Sequence, residues 1–168
     1  MASGATRQGQ VPRCRRVLLA AYKFEATLFS TRSPGFRNPE PDPGSHLTDR
    51  LNLTDMIRDE YRGRLNDLKT ALGRLLIVQA EVRALFEPAY AEDIGKLADL
   101  AVRPILAAGT YFPSERSRVL NQQRTDEIPG LVDEHRELFR KLGEEDEIST
   151  GAKNALARIE KAFRPYLR

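Results

Sequence analysis

Residues 61–86 read YRGRLNDLKTALGRLLIVQAEVRALF. Within this stretch Tyr61, Leu65, Leu68, Leu72, Leu75, Gln79, Val82 and Phe86 recur at alternating steps of four and three, and all but Gln79 are apolar. A 3.5-residue period belongs to a helix whose apolar seam lies against at least one partner helix. The seam therefore predicts an all-α fold built on one long heptad-patterned helix. It holds no nucleophile, general base or strong metal ligand, so it points to architecture rather than chemistry.

The residues flanking the seam decide between a coiled coil with another chain and packing within one chain. With Leu65, Leu72, Gln79 and Phe86 as a positions, the e sites are Arg62, Lys69, Leu76 and Arg83, and the g sites are Arg64, Ala71, Val78 and Leu85. The complementary charges that would pair two copies are missing. Leu75-Leu76-Ile77-Val78 is apolar nearly all round and predicts neighbours on several sides. An elongated antiparallel intramolecular bundle is the favoured reading over a two-stranded coiled coil.

Thr48 and Thr54, each followed by an aspartate, are the candidate starts of this helix, and Pro88 ends it near Glu87. From Thr54 to Glu87 it would span roughly 50 Å. Gly63 and Gly73 lie inside it. Each costs about 1 kcal/mol relative to Ala, so each marks either a close helix approach or a bend.

Upstream, Ser33 to Gly44 holds four prolines and two glycines in twelve residues, a composition that breaks helices and sheet ladders and favours an extended linker. It divides the chain into a basic segment at 1–32 with one helix, a linker at 33–45 and a bundle domain at 46–168. Helical spacing of Val17, Leu18, Ala21, Phe24, Leu28 and Phe29 places the first helix over 17–29, in a peripheral segment.

Downstream, Tyr90, Ile94, Leu97, Ala101 and Ile105 mark a helix returning along the first, bent or split by Pro104. Gly109 to Glu115 reads as a turn, with Ser114 capping a short helix through Val119 and Leu120. A further helix runs from Ile128 to Leu142 and stops at Gly143. Glu144 to Glu147 is an acidic connector, and Ser149 opens a last helix carried by Ala152, Leu156, Ile159, Phe163 and Leu167.

Charge is distributed unevenly. Residues 1–38 carry Arg7, Arg13, Arg15, Arg16, Lys23, Arg32 and Arg37 against Glu25 alone, a balance of +6 within a chain whose total is +3. Three readings fit that head. It resembles an organelle transit peptide in being Arg- and Ser-containing and poor in acids. As a polyanion-binding arm, it would use Arg7, Arg13, Arg15, Arg16 and Lys23 on nucleic acid or an anionic surface. The plainest reading is a solvated tail leading into the first helix.

With 168 residues the chain suits one domain able to bury most of its surface without disulfides or metals. One cysteine and two histidines leave no zinc framework. The longest apolar runs, Val17 to Tyr22 and Leu75 to Val78, fall far short of a membrane span. The expected location is cytoplasmic, or an organelle matrix if residues 1–38 include a transit peptide.

Catalytic and cofactor motifs are absent. His135 lies in an apolar stripe with Leu131, Leu138 and Leu142 and reads as a partly buried histidine. An enzyme would have to assemble its site from His135 with Asp133 or Glu134. Asp55 with Asp59, and Asp93 with Asp99, lack the accompanying histidines of a di-iron bundle and read as solvated charges. Cys14, between Arg13 and Arg15, could carry a lowered pKa and be reactive. The expected function is that of a non-enzymatic interaction protein, a subunit, adaptor or scaffold that binds a protein partner or itself. It needs no cofactor, and its partner contacts would come from Leu76, Val78, Leu85, Tyr111 and Phe112. The alternative is a nucleic-acid or anionic-surface binding protein using the basic arm.

Overall fold

A computed structural model describes residues 7–33, 46–123, 128, 130–139 and 146–167, and every regular element among them is helical. They are α1 (Arg7–Arg32), α2 (Leu47–Leu85), α3 (Pro88–Asp99), α4 (Val102–Asn121), α5 (Leu131–Leu138) and α6 (Glu147–Phe163), with a 3₁₀ turn at Arg164–Leu167.

The first helix is longer than its apolar spacing suggests, because it begins ten residues ahead of Val17 and runs through Pro12. Pro12 is exposed, and having no N–H it leaves the helix one backbone hydrogen bond short. Cys14, Val17, Ala21, Phe24 and Leu28, spaced by three and four, form one fully buried face. The segment set apart by composition is therefore a wall of the core and not a peripheral appendage. The linker, apart from Ser33, lies outside the described residues.

In α2 the start is His46, extended at φ −61° and ψ 149°, with Asp49 in the first turn facing the positive end of the dipole. Thr48 and Thr54 both lie inside the helix, and Thr54 donates its hydroxyl back to the Arg50 carbonyl at 2.9 Å. At 39 residues the helix is about 58 Å long. Pro88 ends it as expected and also starts α3, sitting at the first helical position, where its fixed φ is already correct.

Pro104 splits the returning helix. Its ring would strike the Leu100 carbonyl, and the break falls at Leu100 and Ala101. The turn expected at Gly109–Glu115 does not form, since α4 continues to Asn121 with Pro113 inside it. Gly109, whose carbonyl loses its partner to Pro113, is exposed to water. Tyr111 and Phe112 pack inward, and that packing outweighs the local turn preference. The α6 cap is Asp146 and not Ser149: its carboxylate accepts from the Ser149 N–H at 2.7 Å. Residues 140–145, including Leu142, Gly143 and the first half of the acidic connector, lie outside the described residues.

Cross-helix contacts fix the arrangement. Arg16 meets Glu81 and Thr31 meets the Arg64 carbonyl, so α1 runs antiparallel to the second half of α2. Gln79 bonds Ala91 on α3; Tyr90 and Asp93 of α3 meet Phe163 and Arg158 of α6; Tyr22 and Arg32 of α1 meet Glu160 and Asp146 at the other side of α6. The circuit α1–α2–α3–α6 closes into a four-helix bundle around one core. The first half of α2 packs with α4 and α5 around a second core of Tyr61, Phe112 and Leu138.

The seam of α2 threads both cores. Tyr61, Leu68, Leu75 and Val82 are fully buried, and Leu65, Leu72, Gln79 and Phe86 are half-buried, covered by the chain's own helices. Gln79, its one polar member, donates to the Ala91 carbonyl at 2.9 Å, and a Cβ on Gly95 would come within 2.6 Å of its amide nitrogen. Gly63 and Gly73 make no close approach: a Cβ at either would meet nothing within 4 Å. The apolar run expected to have neighbours on several sides is covered at Leu75 and Val78, which are buried, while Leu76 and Ile77 remain exposed.

Candidate interaction surface

Between α1 and the second half of α2 lies a groove of about 770 Å³. Its floor is made of small or buried side chains, among them Ala20, Thr27, Ala71 and Val78, and its walls carry Leu19 and Ile77. Those two are 54% and 63% exposed, a cost the folded chain leaves uncompensated by its own packing. From Arg16 to Ser30 the groove follows α1 for about 21 Å, or four helical turns.

Polar contacts close both ends. At one, Arg16 of α1 pairs with Glu81 of α2. At the other, Arg64 pairs with Glu60 at 2.9 Å and donates to the Ser33 and Ser30 carbonyls at 2.8 and 3.3 Å, satisfying acceptors left over at the C-terminus of α1. Lys23 and Arg74 line the middle, with Asp67. Four basic and two acidic side chains therefore border the groove.

The sequence-derived partner residues scatter. Leu76 and Leu85 are exposed, yet neither lines the groove. Val78 is buried in the floor, Phe112 is buried in the second core, and Tyr111 is half-buried against Phe112 and Phe139, so these three offer little surface to a partner. Sequence reasoning missed Leu19 and Ile77. Ile77 lay within the apolar run singled out in α2, and its position opposite the buried seam could have marked it.

The basic residues are divided too. Arg13, Arg15, Arg16 and Lys23 stand exposed along α1, with Arg16 engaged by Glu81; Arg7 opens α1, and its side chain is not among those described. Arg32 is withdrawn from the surface altogether. Its guanidinium bonds the carbonyls of Glu137 and Arg136 at 2.8 and 3.1 Å and pairs with Asp146 at 2.7 Å.

Cys14 is fully buried, and burial raises its thiol pKa, the opposite of the activated cysteine its arginine neighbours suggest. Arg13 and Arg15 point away from it to solvent. The His135 ring is exposed on one side and packs its other against Phe139 and Tyr111, at centroid distances of 4.8 and 5.7 Å. Desolvation holds its pKa below the ordinary histidine value. Asp133 pairs with Arg136, Asp55 with Arg58 and Arg116, and Asp93 with Lys96 and Arg158. Among the described residues no three His, Cys, Asp or Glu side chains lie close enough to hold a metal ion, and no helix is long and apolar enough to cross a membrane. No protein family, curated protein or solved structure matches this chain.

Proposed function

We propose that the chain is a non-enzymatic helical-bundle interaction protein, a subunit or adaptor that receives a protein partner in the groove between α1 and α2. The observation that carries this reading is the pairing of Leu19 and Ile77, two large apolar side chains more than half exposed on the walls of one groove. Full-length protein carrying a photo-crosslinker in place of Ala26, at the groove's edge, tests it in its source cells. The expected result is one crosslinked partner, competed by excess unlabelled protein and lost with Ile77→Glu. An identical crosslinking pattern from a probe at Leu106, on α4, would overturn the reading.

A second reading has its own support: Arg13, Arg15 and Lys23 are exposed on a rigid helix, where they could meet phosphates. Deleting residues 1–38 would remove a wall of the core, so charge reversal is the proper perturbation. If this reading holds, Arg13→Glu with Arg15→Glu weakens filter binding of a DNA duplex or of anionic vesicles and reduces its salt dependence. Unchanged binding would exclude it.

A further inference from the structure

We infer that the occupant of the α1–α2 groove is an acidic amphipathic helix of about four turns. This rests on the reading of the groove as a docking surface and specifies what fits there.

Three features select that occupant. First, shape: a trough between two antiparallel helices, floored by alanine and threonine and about 21 Å long, accepts the ridge formed by side chains at i, i+3, i+4 and i+7 of a third helix. Second, hydrogen bonding: the main chain on both sides of the trough is helical and satisfied within its own helices, so an extended peptide would find no ladder to join. Leu19 and Ile77 instead supply side-chain contacts, which a helix uses. Third, charge: Arg16, Lys23, Arg64 and Arg74 outnumber Asp67 and Glu81 along the rim. Even with Arg16 neutralised by Glu81 and Arg64 by Glu60, Lys23 and Arg74 remain against Asp67. Two copies of this chain placed groove to groove would bring like charge together, whereas glutamates flanking an apolar ridge would meet the opposite sign.

The probe is a stapled helical peptide of about 15 residues with a leucine ridge and glutamates on both flanks, labelled with fluorescein and titrated with the full chain by anisotropy at ~50 and ~300 mM salt. Saturable binding that weakens with salt is expected. Ile77→Glu or Leu19→Glu should lower affinity about tenfold or more, as should Lys23→Glu combined with Arg74→Glu, while Leu106→Glu leaves it unchanged. Both apolar targets are exposed, so these variants should keep the parent's melting curve, and two of them guard against one failing to fold.

The inference falls if the acidic peptide does not saturate, if a lysine-flanked version binds as well, or if Ile77→Glu and Leu19→Glu bind undiminished. It also falls if a DNA duplex binds the wild type and Ile77→Glu equally and displaces the peptide, which would assign the surface to phosphates. Photo-crosslinking separates the two levels: a groove-dependent crosslink with no acidic-peptide binding keeps the docking surface and removes its assigned occupant.

Discussion

Arg32 and Asp146 form an ion pair at 2.7 Å that joins the end of α1 to the cap of α6, and the arginine side chain is only 2% exposed. The same guanidinium satisfies the Arg136 and Glu137 carbonyls near the C-terminus of α5. One side chain thereby fastens three helices. The planar fork of arginine suits it to this work, since two carbonyls and a carboxylate must be reached from fixed directions.

Arg32→Ala should lower unfolding free energy by about 2–3 kcal/mol, because it leaves two carbonyls without their donor and a partly buried carboxylate without its counter-charge. Lysine at this position should recover only part of the loss, having one ammonium for a forked set of acceptors. Urea denaturation followed by circular dichroism measures both. Arg32→Ala within about 0.5 kcal/mol of the parent would refute the assigned role.

Asp146 should make stability acid-sensitive. Partial burial pushes its pKa up, but hydrogen bonds from Arg32 and Ser149 and the arginine's charge together hold it down at about 2. A depressed carboxylate contributes stability that is present above its unfolded value of 3.8 and is lost as pH falls from there through about 2. On the order of 1–2 kcal/mol should disappear across that window after discounting for exposure. Asp146→Asn should be less stable at pH 6 and should lose less of its remaining stability than the parent between pH 4 and pH 2; matching pH profiles would show that this carboxylate is not responsible.

Cys14 should resist modification. With the thiol fully buried and its pKa raised, a disulfide-exchange reagent should react only on the timescale of unfolding and reach full stoichiometry at once in denaturant. Rapid reaction of the native protein would contradict its placement. Cys14→Ser should cost about 1–3 kcal/mol by putting a hydroxyl among Val17, Ala21 and their neighbours in the core.

Three glycines should behave differently when replaced by alanine. Gly63 and Gly73 have open space where a Cβ would go, so each substitution should stabilise α2 by about 0.5–1 kcal/mol. At Gly95 the same helical gain is offset because the new Cβ displaces the Gln79 amide from the Ala91 carbonyl. Gly95→Ala alone should be nearly neutral, yet stabilise by about 1 kcal/mol in a Gln79→Ala background. A double-mutant cycle with no coupling would show that Gln79 does not depend on this glycine.

The period of three and four between Tyr61 and Phe86 determined that the chain is helical and which side of α2 faces inward, because burying that seam outweighs any other use of those side chains. Prolines 88 and 104 likewise fall at two helix breaks, since a proline has no N–H to donate four residues back and its ring crowds that carbonyl. That cost prevails at these two positions but not at Pro12 or Pro113. Pro113 and Gly109 misled, because local turn preference is weak beside the burial of Phe112. Composition counted Arg32 with the basic head and set the head apart from the bundle; only the tertiary structure drew Arg32 inside and made α1 a wall of the core. The candidate site was the least legible part. Leu19 and Ile77 lie 58 positions apart, and nothing local says that they share a groove. Helix periodicity reports which face of each helix is apolar, whereas the pairing of α1 with α2 decides which apolar side chains remain uncovered.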